Sequence, residues 1–383
     1  MRSVCSRPNG GVLPGATTRH GFLMRISSIA ASVAGVVLPA KPNRFLGDLD
    51  VSFGPARRGY ALGLGALVVA AGAFAATRIG RGAFDGAVSS LADARPGWLV
   101  LAGAGFAAAL LSSAAAWRAG LGACGGCAGY GQVSARYAVG SLVNSVAPAH
   151  VGGAVRLGLM SQTLPGEDRL WRAGGIGGVV AAARTLALAA LIVAAAVWGG
   201  IPLWPAPILI VVVLLAVGLG TRASHRVSGR LGSLLEVLGT LHSSPGHVAR
   251  LVAWVLLSFG WRILAAAAIV VSLGVPNPVF VALVLLAAFA LAGLLPLTPG
   301  NFGAGAGAAT LALHGTGVGV GTSLATGVAF QAVETFAGVT LGLAGATLLA
   351  SPGSAVRRWS LAAAGVGVVL AGTALGVATV ELV

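Results

Sequence analysis

The sequence has 383 residues, 57% of them hydrophobic and 9% charged, with a formal net charge of +15 and a mean hydropathy of +0.93. Soluble domains carry about 25% charged residues and must keep their surface wettable, so a soluble enzyme is excluded. The positive charge lies between apolar stretches, as a membrane topology signal does, and not on a nucleic-acid-binding face. Three cysteines are too few for a disulfide framework.

Residues 1–59 are polar, basic and poorly patterned, with Arg2, Arg7, Arg19, Arg25, Lys41, Arg44, Arg57 and Arg58. The apolar run Ile26–Ala40 is too short to span a bilayer core, which needs about 20 residues. This segment is read as a disordered or surface-lying cytoplasmic arm, and residues 60–383 as the membrane domain. A first span is expected at Tyr60–Ala76. A short charged loop follows, with Arg78, Arg81, Asp85, Asp93 and Arg95, and then a second span from Trp98 to Trp117. Residues 118–136 are Gly-rich and contain Cys124-Gly-Gly-Cys127, a CxxC without a second ligand pair for zinc. From Tyr137 to Leu164 two half-length apolar pieces flank Ala147-Pro148-Ala149-His150-Val151-Gly152-Gly153. Pro and Gly together break a helix, so this region reads as a re-entrant hairpin.

Further spans are expected at Gly175–Trp198 and Ile201–Gly220. A basic, mildly amphipathic cytoplasmic loop occupies 221–250, and spans follow at Leu251–Leu273 and Pro278–Leu295. A second break lies at Pro296-Leu297-Thr298-Pro299-Gly300-Asn301-Phe302-Gly303. Apolar residues resume at Ala304–His314 and Val318–Ala350, and a final span covers Leu361 to about Val380. The expected fold is an all-α polytopic membrane bundle of eight to ten spans. Placing the N-terminus inside puts all but five of the 24 Lys and Arg on the inner side. The exceptions are Arg78, Arg81 and Arg95 outside, and Arg184 and Arg262 within spans. This assignment predicts the inner membrane of a bacterial-type cell and requires residues 137–164 to enter and leave on one face. The two breaks resemble each other, since Pro148 precedes Gly152 as Pro299 precedes Gly303. Paired interruptions in two halves are the mark of an internal repeat with a transport site at its interface.

No Walker-type GxxxxGK[ST], HExxH or GxSxG sequence is present. No cofactor or metal is therefore expected, and no catalysis of the soluble type. The distinctive residues are charges within spans: Arg184, Arg262 and Glu334, with Arg156 just after the first break. A mid-bilayer charge costs at least about 2.5–3.5 kcal/mol, so such residues face a cavity or pair with one another. One reading is a polar cavity for an anionic headgroup, since Arg binds phosphate bidentately and stays charged when desolvated. The exposed N–H groups of half-helices after Gly152 and Gly303 would assist. The other reading is a buried Arg–Glu pair that fixes helix packing. Asn144, Gln331 and Asn301 are weaker candidates for the same cavity. His150 and His314 could shuttle protons or bind the headgroup, with His150 counted among the headgroup candidates; the other reading for each is a polar contact at a helix break, and neither has a second ligand at metal spacing.

The run Asn144-Ser-Val-Ala-Pro148-Ala-His150-Val-Gly152-Gly153-Ala-Val-Arg156, the Arg184 that follows it, and Leu295-Pro296-Leu-Thr-Pro299-Gly300-Asn301-Phe-Gly303 resemble the signatures of the lysylphosphatidylglycerol synthase membrane-domain family. The resemblance covers about residues 60–380. It implies a multi-helix membrane fold and translocation of phospholipids or lipid-linked substrates. It also implies a site at Asn144, Pro148, Gly152, Gly153, Arg156, Arg184, Pro299, Gly300 and Gly303. Two departures stand out. Ala154 and Val155 replace an acidic residue beside the first Arg, and Ala304–Ala308 lack the family's Glu after the second Gly cluster, for which Glu334 is the available substitute. The aminoacyl-transfer domain of the full synthases is absent from this sequence, so lipid aminoacylation by this chain alone is not expected.

These features lead to one expectation: a flippase-like transporter of an anionic phospholipid or polyprenyl-phosphate-linked lipid, not an enzyme. Its partners would be membrane lipids, with no nucleic acid. A membrane scaffold for an envelope-synthesis enzyme is the first alternative, and a membrane-embedded lipid-modifying enzyme the second.

Overall fold

The computed structural model describes residues 80–146, 151–166, 168–198, 203–224, 230–293, 303–350 and 357–358. The N-terminal arm, the expected first and last spans, and most of both breaks, including Pro148, His150, Pro299, Gly300 and Asn301, lie outside the described residues. Among the described residues the regular structure is entirely α-helical: α1 Gly80–Ala92, α2 Pro96–Ala123, α3 Tyr130–Val146, α4 Val151–Ser161, α5 Arg169–Val197, α6 Pro205–Ser224, α7 Arg230–His242, α8 Pro245–Ser272, α9 Pro278–Ala292, α10 Ala304–His314 and α11 Val320–Leu349. Of these, α2, α5, α8 and α11 are long and apolar enough to cross a membrane, and α9 and the first part of α6 are shorter apolar helices. The outer faces of α6 and α8 expose Ile208, Val211, Val212, Leu214, Leu215, Trp254, Leu256 and Leu264. Apolar faces of this kind belong against lipid. The protein is therefore a polytopic helical membrane protein, as its composition requires.

Two segments expected as loops contain helices. The charged stretch after the first expected span forms α1. The basic loop at 221–250 contains α7, whose Val237 and Leu241 are buried in a core cluster with Ala173 and Ile176 of α5. The helical spacing of Val237, Leu238 and Leu241 accounts for this, because it places apolar residues on one face that can bury. The Gly-rich stretch after the second span is shorter than expected. Helix α2 runs on to Ala123 and α3 begins at Tyr130, leaving only a short connection.

Helices α1–α5 and α7–α11 form two structural repeats with α6 between them. Their lengths run 13, 28, 17, 11 and 29 residues in the first and 13, 28, 15, 11 and 30 in the second. Helices α2 and α8 both open with proline, Pro96 and Pro245, and both stop before a left-handed glycine, Gly125 (φ 80°) and Gly274 (φ 68°). Proline suits a first turn, and glycine accepts a positive φ without strain. Packing repeats as well: α3 lies on α11 as α9 lies on α5, α4 on α5 as α10 on α11, and α1 on α11 as α7 on α5.

The central contact is α2 against α8, and it is antiparallel. Gly105 faces Ala265, Ala109 and Ser113 face Ser258, and Gly120 faces Leu251. A two-fold that exchanges adjacent antiparallel helices must run perpendicular to them, which for spanning helices is within the membrane plane. The repeat is therefore inverted. Two apolar cores flank the α2–α8 pair. One contains residues of α9 and α10, the other residues of α3 and α4.

Candidate functional site

Each repeat contributes a hairpin of two short helices, and glycine sets how closely they approach. In the first hairpin, a Cβ on Gly152 would lie 2.5 Å from Cβ and N of Asn144 and would overlap the Gly140 carbonyl. A Cβ on Gly140 would in turn meet Arg156 Cβ at 2.8 Å. In the second hairpin, a Cβ on Gly305 would overlap the Phe289 ring. Gly152 and Gly305 are both the second residue of their helix. Gly152 therefore serves the α3–α4 contact and does not line the cavity described next. Gly153 and Gly303 are likewise absent from its lining.

Between the hairpins and the four long helices lies a cavity of about 440 Å³. It is reached from the middle of each long helix: Leu110 and Ser113 on α2, Arg184 on α5, Ser258 and Arg262 on α8, and Gln331 and Glu334 on α11. Of the residues singled out from the sequence, Asn144, Arg156, Arg184, Arg262, Gln331 and Glu334 share this one space. His314 does not, being exposed at the end of α10 with its Nδ1 3.2 Å from the Val318 carbonyl.

The charges have distinct partners. Arg262 and Glu334 form an ion pair, with side chains 37% and 31% exposed. Arg184 Nη2 donates to the Tyr137 hydroxyl at 2.7 Å, and Arg156 Nη2 donates to Ser141 Oγ at 3.0 Å. The Arg156 guanidinium lies 4.0 Å above the Tyr137 ring and that of Arg184 lies 5.9 Å from it. Tyr137 thus braces two like charges by a cation–π contact on one side and a hydrogen bond on the other. Arg156 Nε is buried without a hydrogen-bond partner among the described residues. Among the described residues three guanidinium groups face one carboxylate, leaving a formal excess of two positive charges on the lining. Such a surface favours an anion, and phosphate most, because a guanidinium fork matches its oxygens.

The two hairpins differ in chemistry although they match in shape. The first lines the cavity with Tyr137, Ser141, Asn144, Ser145 and Arg156, the second with Leu286, Phe289 and Ala290. Phe289 stacks on Phe330 with centroids 4.4 Å apart, and Phe106 meets Phe330 edge-on at 5.0 Å. One side of the cavity is polar and the other aromatic. Sequence reasoning did not find Tyr137, Ser141 or this aromatic group. Tyr137 had a signal, since it is one of three tyrosines in the chain and lies within the broken hairpin.

The Cys124–Cys127 motif lies apart from this space. Both thiols are free, Cys124 buried at the end of α2 and Cys127 exposed. Among the described residues no group of three His, Cys, Asp or Glu is placed to hold a metal ion.

A family model described as "Lysylphosphatidylglycerol synthase TM region" matches residues 60–342, a stretch that includes every cavity residue named above. No curated protein matches the chain in sequence.

Proposed function

The chain belongs to the lysylphosphatidylglycerol synthase transmembrane-region family, a membrane family concerned with lipids, and on that premise we propose that it is a flippase-like transporter of an anionic phospholipid or polyprenyl-phosphate-linked lipid. One observation carries this reading: three arginines converge at mid-helix in a cavity where two inverted repeats meet. A site at the interface of inverted repeats is the arrangement from which alternating access follows, because exchanging the two half-structures exposes the same site to the other side. A headgroup enters the cavity and its phosphate takes donors from Arg156, Arg184 and Arg262, while the acyl or prenyl chains stay in lipid. The 440 Å³ volume is within the range of small-molecule sites. The lipid leaves chemically unchanged, so the chain acts as a carrier and not as an enzyme. In this reading it sits in a bacterial-type inner membrane with the N-terminus in the cytoplasm, in keeping with the Lys and Arg bias.

The scaffold alternative draws support from the Arg262–Glu334 pair, which closes on itself. Against it stand Arg156 and Arg184, which face an open space with hydroxyl partners. The deciding experiment is translocation in proteoliposomes with fluorescent anionic and zwitterionic lipids, comparing the native chain with Arg184→Ala. Fast, anion-selective movement that is lost in Arg184→Ala supports the transporter. Folded native protein that moves none of the anionic or polyprenyl-phosphate lipids, or Arg184→Ala that moves them as fast, overturns it.

A further inference from the structure

The inverted repeat places Arg184 and Glu334 at matching positions. Gly177 of α5 packs against Leu157 of α4, and Gly327 of α11 packs against Ala306 and Ala309 of α10. These two glycines mark the same crossing in each half. Arg184 lies two turns beyond Gly177, and Glu334 lies two turns beyond Gly327. The frame thus presents a cation on one side of the cavity and an anion at the corresponding point on the other. The cation has a neutral partner, Tyr137. The anion instead holds a third cation, Arg262, which comes from the central helix α8.

We infer that Glu334 is an internal substitute for the substrate anion: its carboxylate occupies Arg262 while the cavity is empty and yields that guanidinium to an incoming phosphate. The inference rests on the transport reading above. A carboxylate and a phosphate use the same two-pronged contact with guanidinium, so they compete for one donor set. Among the described residues Arg156 and Arg184 have no carboxylate to displace, and they form the standing part of the site. Arg262 becomes the conditional part. A site held open by a weak internal ligand binds its substrate less tightly and releases it sooner, and a carrier needs both properties in order to turn over. The pair is about a third exposed on each side, so the latch is weak enough to be opened.

Two roles for Glu334 give opposite signs. If the carboxylate competes, Glu334→Gln tightens anion binding. If it only positions Arg262, Glu334→Gln loosens it. The experiment is equilibrium and stopped-flow binding of a fluorescent short-chain phosphatidic acid to the full chain in detergent, with a fluorescent short-chain diacylglycerol, which has no phosphate, as the uncharged-headgroup control. Glu334→Gln should bind the anionic probe about fivefold tighter, the size expected of an ion pair this exposed, mainly through slower release. Diacylglycerol binding should be unchanged. Glu334→Ser, also uncharged, runs alongside, so that a failure of one variant to fold leaves the other. Weaker or unchanged binding of the anionic probe in the folded variant overturns the latch and leaves the transport reading standing. Failure of the native chain to bind the anionic probe overturns the site itself.

Discussion

Gly152→Ala is the perturbation whose size follows most directly from the structure. A Cβ at this position would lie 2.5 Å from two atoms of Asn144 and would overlap Gly140 O, where ordinary contact begins at 3.4 Å. The obstacles include backbone of α3, which cannot rotate aside as a side chain can. Helices α3 and α4 must part, and overpacking of this kind costs about 1–3 kcal/mol. The damage reaches the site, because Arg156 lies one turn beyond Gly152 on α4 and its contacts to Ser141 at 3.0 Å and to the Tyr137 ring at 4.0 Å depend on the same approach. The neighbouring substitution is a control within the same turn. Among the described residues nothing lies within 4 Å of a Cβ on Gly153, so Gly153→Ala is expected to carry no steric cost and to gain up to about 1 kcal/mol of helix propensity. Thermal unfolding in detergent, followed by tryptophan fluorescence, should show Gly152→Ala melting several degrees below the native chain and Gly153→Ala at or above it. Anionic-probe binding should fall only in the first. Equal melting temperatures for the two variants would refute the described packing of α3 on α4.

The other predictions concern the cavity wall. Ser258 Oγ lies 2.9 Å from both Ala109 O and Ser113 Oγ in the buried α2–α8 contact. Ser258→Ala removes these contacts and should therefore cost about 0.5–1.5 kcal/mol in the same melt, the net worth of the hydrogen bonding lost. Tyr137→Phe removes the acceptor for Arg184 and keeps the ring beneath Arg156, so stability should fall by about 1 kcal/mol; Tyr137→Ala should fall further and lose anionic-probe binding. Arg184→Ala should weaken that binding by at least about tenfold, the loss of one charge-assisted contact, with Arg184→Lys intermediate because it keeps the charge but not the fork.

Much of this architecture was legible in the residues themselves. Apolar stretches of spanning length require membrane helices, and Pro and Gly in the middle of such stretches require breaks. The intramembrane charges were equally plain, because in a chain with 9% charged residues each one within a span needs a reason. In the structure Arg262 and Glu334 pair with each other and also line the cavity with Arg156 and Arg184. The helices α1 and α7 were missed because they are short and amphipathic, a pattern a polar connection also shows.

The extent of the repeat was decided by the fold alone. The two halves share helix lengths, capping prolines and glycines, and the glycines of close approach, but not the side chains at the site. Arg184 corresponds to Glu334, and the hairpin that carries Arg156 and Tyr137 corresponds to one that carries Leu286 and Phe289. Backbone geometry tolerates any residue that fits, so symmetry survives there after the chemistry has diverged. Tyr137 entered the site for a related reason. A helix turns about 100° per residue, and which of its faces meets the centre is set by the neighbours packed around it. Composition and spacing could therefore say that buried arginines need partners, but only the packed bundle determines which groups stand within reach of them.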